Sequence, residues 1–166
     1  IRIGGPARFW VQPHTVAGMA RVLVHARVRG LPVRVVGRGS NLLIRDGGID
    51  GLVLHPRYGD FEAVTVQGDT IEAGVGARLK KIASVALAAG LGGFEWMEGI
   101  PGNLGGGIRM NAGAMGTETF DQIVSVTYID SNGDVRTKRA EEIEFHYRNV
   151  PEFTENYVVS AVLRGE

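Results

Sequence analysis

Glu98-Gly99-Ile100-Pro101-Gly102-Asn103-Leu104-Gly105-Gly106-Gly107-Ile108-Arg109-Met110-Asn111-Ala112-Gly113 is the stretch on which the fold turns. It lies in a region with ten glycines in the 27 residues from Gly90 to Gly116. Glycine loses more backbone freedom on folding than any other residue, so this density is costly. The cost is tolerable where backbone must lie against something flat and polar, such as a dinucleotide. Pro101 fixes the entry, and a short helix starting at Asn103 would aim free N–H groups at a pyrophosphate. The competing reading is the close packing of a glycine-rich helix on a sheet.

A second glycine loop lies upstream, Val36-Gly37-Arg38-Gly39-Ser40-Asn41-Leu42-Leu43. Its glycines allow positive φ and close approach of a ligand to the backbone. Successive N–H groups in such a turn form an anion nest, and the Ser40 hydroxyl and Asn41 amide add donors. The plainer reading is a tight turn between strands, since Gly and Asn dominate turns. The loop is neither a Rossmann fingerprint nor a Walker loop: it lacks G-x-G-x-x-G, and no Gly-Lys-Ser/Thr follows. Together the two loops suggest one extended nucleotide cofactor with two phosphates. Gly37, Arg38, Gly39, Ser40, Asn41 and Leu42 would hold one side of it. Gly99, Ile100, Pro101, Gly102, Asn103, Gly105, Gly106, Asn111, Ala112 and Gly113 would hold the other.

Outward from these loops the pattern is mixed. Arg8–Gln12 reads as a strand, and Thr15 as the cap of a helix carrying Val16, Met19, Ala20, Leu23 and Val24 at helical spacing, stopped by Gly30. Val33–Val36 is a buried strand, Leu42–Ile44 resumes a strand, and Gly51–Leu54 is another. Ala63–Val66 and Thr70–Ala73 form a hairpin around Gly68-Asp69. Leu79, Ile82, Ala83, Ala86 and Leu87 mark a second helix ended by Gly90. Ile123–Ile129 and Val135–Lys138 flank Asn132-Gly133, a strong hairpin signal. Ala140–Ile143 suggests one helical turn, and Tyr157–Leu163 a last strand. A βαβ opening followed by hairpins predicts an α+β fold, with one subdomain over about 1–54 and a second over about 55–166.

Composition narrows the function. Lys plus Arg and Asp plus Glu both number 18, for a net charge of zero, which argues against a phosphate-neutralising nucleic-acid surface. There is no cysteine, which excludes thiol catalysis, a disulfide scaffold and Cys-ligated metal. His14, His25, His55 and His146 lack metal-ligand spacing, so no metal is expected. No apolar run approaches the roughly 20 residues of a membrane span. Trp96 and Met97 read as core at a strand end, or as a wall of the cofactor pocket.

Several motifs occur in a fixed order: Ile3-Gly4-Gly5-Pro6-Ala7, Gly39-Ser40-Asn41-Leu42-Leu43, Gly47-Gly48 with Gly51, Gly99-Ile100-Pro101-Gly102, Gly105-Gly106, Met110-Asn111-Ala112-Gly113-Ala114 and Tyr147-Arg148. In this the chain resembles the UDP-N-acetylenolpyruvoylglucosamine reductases (MurB), over essentially its whole length. The resemblance implies a vanillyl-alcohol-oxidase (PCMH)-type fold of two α+β subdomains clasping non-covalent FAD. It implies a cytoplasmic step of peptidoglycan synthesis in which NADPH reduces the enolpyruvyl ether of a UDP-sugar. A monomer is expected, with no nucleic-acid or membrane partner. By resemblance Arg148 is the catalytic cation that faces the substrate carboxylate. From the residues alone, Arg148 is a surface arginine pairing with Glu144 or Glu152.

Two positions depart from the family pattern: Arg38, where a third glycine is common, and Asn103, where Thr, Ser or Ala is common, although asparagine can still cap a helix there. The family's proton-donating serine and late glutamate match nothing in this chain. The expectation is therefore a FAD-binding portion without its substrate-binding domain. The competing readings are a non-catalytic flavin- or nucleotide-binding module and another flavin oxidoreductase of the same fold.

Overall fold

The Thr15 hydroxyl accepts a hydrogen bond from the Gly18 N–H at 3.0 Å and caps helix α1 (Val16–Val28), satisfying one of the donors that a helix start leaves free. The structure, a computed structural model, describes residues 4–166, so Ile1 to Ile3, including the start of the Ile3–Ala7 motif, lie outside it.

Helix α1 lies between β1 (Ala7–Val11) and β2 (Val33–Val35), and both strands run parallel to β3 (Ile49–Leu54) in the order β1-β3-β2. Met19, Leu23 and Ala26 of α1 are buried with Leu52 and Leu54 of β3. A second, antiparallel sheet follows. Its strands are β4 (Val64–Gln67), β5 (Thr70–Gly74), β8 (Ile123–Ile129), β9 (Val135–Arg139) and β10 (Tyr157–Arg164), in the order β4-β5-β10-β8-β9. Between β5 and β8 come α2 (Leu79–Ala88), α3 (Leu104–Arg109), the two-residue strands β6 (Gly113–Ala114) and β7 (Thr117–Glu118), and the single turn α4 (Thr119–Gln122).

The larger core sits where α2, α3 and α4 cover this sheet, with Ile71, Ile82, Leu104, Ile108, Phe120 and Val126 buried together. A smaller cluster bridges the sheets, joining Met19 and Leu54 to Phe61, Val75, Ile129 and Val159. The two sheets are thereby fixed to each other, and the loops at their junction have a defined spacing.

The α+β expectation holds, and four local expectations do not. The strand expected at Val33–Val36 forms as β2 but is not buried, with Val35 44% exposed. Among the described residues Leu42–Ile44 pairs with no strand, and Leu43 is 84% exposed. Trp96 and Met97 are buried as core, but in a 3-10 turn (Glu95–Met97), not at a strand end. The Trp96 indole N–H donates to the Gln122 side-chain carbonyl at 3.0 Å, so its one polar group is satisfied inside the core. Asn103 stands at the start of α3, but its side chain makes no capping bond.

Candidate functional site

A cavity of about 700 Å³ opens where the two sheets meet. One wall is β2 and the loop that follows it: Gly37, Arg38, Gly39, Ser40, Asn41 and Leu42 all line it. Facing them are Ile100, Pro101, Gly102, Asn103, Gly105 and Gly106, with Ala112, Gly113 and Arg148 further along. The loops touch. The Ser40 hydroxyl donates to the Pro101 carbonyl, and a Cβ added to Gly37 would lie 3.6 Å from Nδ2 of Asn103. The Ser40 hydroxyl is therefore committed to the other loop and is not a free donor for a ligand. Gly39 has φ +69 with nothing within 4 Å of a built Cβ, so its turn favours glycine and leaves the backbone open.

Helix α3 answers the choice between close packing and ligand approach residue by residue. A Cβ on Gly105 would stand 3.0 Å from Cβ of Val75, so Gly105 is a packing glycine. A Cβ on Gly107 would meet Leu79 and Thr119 at 3.5 and 3.6 Å. Gly106 meets nothing within 4 Å and is exposed on the cavity wall, a cradle that a side chain would fill. The expected row of free N–H groups is only partly there. The Leu104 and Gly105 N–H groups bond the carbonyls of Ala77 and Val75 at 2.9 and 3.0 Å, which ties the helix start to the chain entering α2. Asn103 is 6% exposed, and its Oδ1 is buried without a partner.

Charge is the other feature of the wall. Arg34, Arg38, Arg109 and Arg148 line it, and no Asp or Glu does. Among the described residues, none of these four arginines is in an ion pair: Glu144 pairs with His146, and Glu152 with Lys138. The surface-pair reading of Arg148 therefore fails for both of its named partners. Its guanidinium lies 3.5 Å from the carbonyls of Asn111 and Gly113 instead, beside the Tyr147 ring. Arg109 donates to Oδ1 of Asn149 and Oγ1 of Thr154, both at 3.0 Å. Four uncompensated cations in one concavity focus a positive potential on it. Burial pushes the phenol of Tyr157, also on the wall, above its ordinary value, while Arg34 pulls the other way.

Two expected positions are not on the wall. Gly99 falls outside it, and Asn111 is wholly buried. The Asn111 amide is committed to Glu118 at 2.7 Å, and its carbonyl oxygen accepts from the Phe120 N–H at 3.2 Å, so it knits the chain after α3 to α4. The sequence reading missed Arg34, Arg109 and the start of β10, including Tyr157. Arg109 had a usable signal, since it lies three residues after Gly106 and so on the same helical face.

Residues 7–138 match a family described as FAD binding domain. The chain belongs to this FAD-binding domain family. Curated relatives point to one enzyme. UDP-N-acetylenolpyruvoylglucosamine reductase of Bradyrhizobium sp. (strain ORS 278) is 44% identical over 147 residues, covering 89% of this chain and 48% of that protein. That of Azorhizobium caulinodans is 40% identical over 164 residues, covering 99% of this chain and 53% of that protein. This FAD-binding domain thus spans about half the length of the curated relatives it matches.

The crystal structure of the reductase from Thermus caldophilus superposes with a TM-score of 0.80 at 32% identity, covering 99% of this chain and 57% of that one. 6-Hydroxy-D-nicotine oxidase from Arthrobacter nicotinovorans gives a TM-score of 0.77 at 17% identity, over 99% and 37% of the two chains, a likeness of fold alone. The fold is accordingly α+β, of the vanillyl-alcohol-oxidase type. The wall residues of this FAD-binding domain suit a dinucleotide. Gly106 and Gly39 leave room for close approach, and the arginines meet no competing carboxylate.

Proposed function

We propose that this chain is the FAD-binding part of an NADPH-dependent reductase that converts UDP-N-acetylglucosamine enolpyruvate to UDP-N-acetylmuramate in the cytoplasm. One observation carries the reading: both glycine loops and four arginines free of carboxylate partners wall a single cavity. FAD bound there supplies the transfer of hydride from NADPH to the enolpyruvyl double bond. In this reading the backbone of Gly39, Ser40 and Asn41 faces the diphosphate, and the Arg38 guanidinium neutralises it. Gly106 lets the cofactor lie against α3. The subdomains meet near residue 54, so the cofactor is clasped between them.

Arg148 lines the same wall. As hydride reaches the terminal carbon of the alkene, negative charge spreads onto the conjugated carboxylate, and a proton added to the adjacent carbon then completes the reduction. A fixed guanidinium there lowers the barrier, because it is oriented before the charge forms. The half-length match to the curated relatives supports a second reading, in which the chain by itself binds flavin without completing the reaction. The test follows flavin absorbance of the FAD-loaded chain under anaerobic NADPH, with and without the enolpyruvyl ether. Bleaching by NADPH supports the reductase. A chain that binds no FAD contradicts the reductase, and a bound flavin that responds to neither reagent leaves the binding module.

A further inference from the structure

Arg148 occupies a conformation its own chemistry disfavours. It is the third residue of the turn His146–Asn149, closed by His146 N–H to Asn149 O at 2.8 Å and by Asn149 N–H to His146 O at 3.2 Å. Its φ is +59, the left-handed region that this turn position normally gives to glycine. Neighbouring structure must hold such a residue in place. Its own guanidinium does little of this, since both of its bonds lie at 3.5 Å, the edge of hydrogen-bond range.

The firm contacts come from Arg109. One guanidinium nitrogen grips Oδ1 of Asn149, the residue after Arg148, and the other grips Oγ1 of Thr154, both at 3.0 Å. The planar fork thus ties the closing residue of the turn to the segment beyond it, from a helix that also carries Gly106. Asn111 adds a long bond to the His146 carbonyl, and Phe145 stacks on Phe120 at 4.7 Å, but both act on the entry side of the turn.

We infer that Arg109 is a positioning residue: its two-pronged grip on Asn149 and Thr154 holds Arg148 in the left-handed conformation that aims it into the cavity. This rests on the reading of Arg148 as the cation for the substrate carboxylate. A fork is needed for the task. Lysine would keep the charge and lose the paired geometry.

The test uses the FAD-loaded chain, with affinity for the enolpyruvyl ether read from flavin absorbance and with amide exchange of Arg148 and Asn149. Arg109→Gln and Arg109→Lys should both weaken the ether about tenfold, and adding either to Arg148→Ala should cost nothing more. The two amides should exchange several-fold faster in both Arg109 variants, and the urea midpoint sets the control for folding. Wild-type affinity in Arg109→Lys, or additive losses in the double variant, would overturn the proposal by making Arg109 an independent charge. If Arg148→Ala leaves ether affinity unchanged, the reading of Arg148 is what fails. The exchange rates then decide the positioning alone: faster in Arg109→Gln upholds it, and unchanged overturns it.

Discussion

The Ser40 hydroxyl donates to the carbonyl oxygen of Pro101, sixty-one residues further along the chain. This bond pins the loop after β2 against the loop before α3 and sets the width of the cleft between them. Ser40→Ala removes the pin without touching the backbone donors. A neutral hydrogen bond contributes about 0.5–1.5 kcal/mol, so FAD affinity should fall roughly two- to tenfold by calorimetric titration. Unchanged affinity would show that the cleft keeps its width without this bond.

Gly106→Ala should separate folding from binding. The position is helical, its φ is not in the positive range, and a methyl there meets nothing in the protein. Alanine gains up to about 1 kcal/mol over glycine within a helix, so the ligand-free chain should melt at the same temperature or higher. The methyl would project into the cavity, and flavin affinity should drop at least about tenfold, the effect of losing ~1.4 kcal/mol of binding. A variant that is more stable and binds FAD normally would remove Gly106 from the site.

Much of this site was legible because its signals are local. Thr15, the helical spacing from Val16 to Val24 and the Asn132-Gly133 turn each act within a few residues, and the elements formed where they point. The two loops were legible because such glycine density needs a reason. What escaped depends on partners distant in sequence. Leu42–Ile44 has a strand's composition, yet no strand among the described residues pairs with it. The Ser40 hydroxyl reads as a ligand donor until Pro101 is brought beside it. Asn111 belongs to a motif that resembles a cofactor contact, yet the packing of α4 against the end of α3 turns it inward. Arg34 and Tyr157 come from different sheets, and only their junction makes them neighbours of one cavity.

Stability should fall in alkali partly through Tyr157. Burial holds its phenol above the ordinary 10.0, so the folded chain keeps the proton that the unfolded chain loses first. The stabilisation is complete below about pH 10 and is lost as pH rises from there through the folded value. Tyr157→Phe should lose less of its urea midpoint than the parent chain between about pH 9 and pH 11. An identical decline in both would place the alkaline sensitivity elsewhere.

Arg148→Ala should affect one half-reaction selectively. In a complete enzyme built on this domain, reoxidation of reduced flavin by the enolpyruvyl ether should slow by about 10²–10³, the usual loss for one charge-stabilising donor. Flavin reduction by NADPH creates no charge at that carboxylate and should change less. Rapid mixing that follows each step separately decides it. Slowing confined to the NADPH step would make Arg148 a nicotinamide contact.

The most direct test of the account is an equilibrium titration of the purified chain with FAD, read by flavin fluorescence and absorbance and repeated with ADP as competitor. The account predicts saturable binding of one FAD per chain with a shifted flavin spectrum. It also predicts displacement by ADP, weakened by Arg38→Gln, because the diphosphate lies between the two glycine loops. A flavin spectrum that stays that of free FAD at every protein concentration would contradict it.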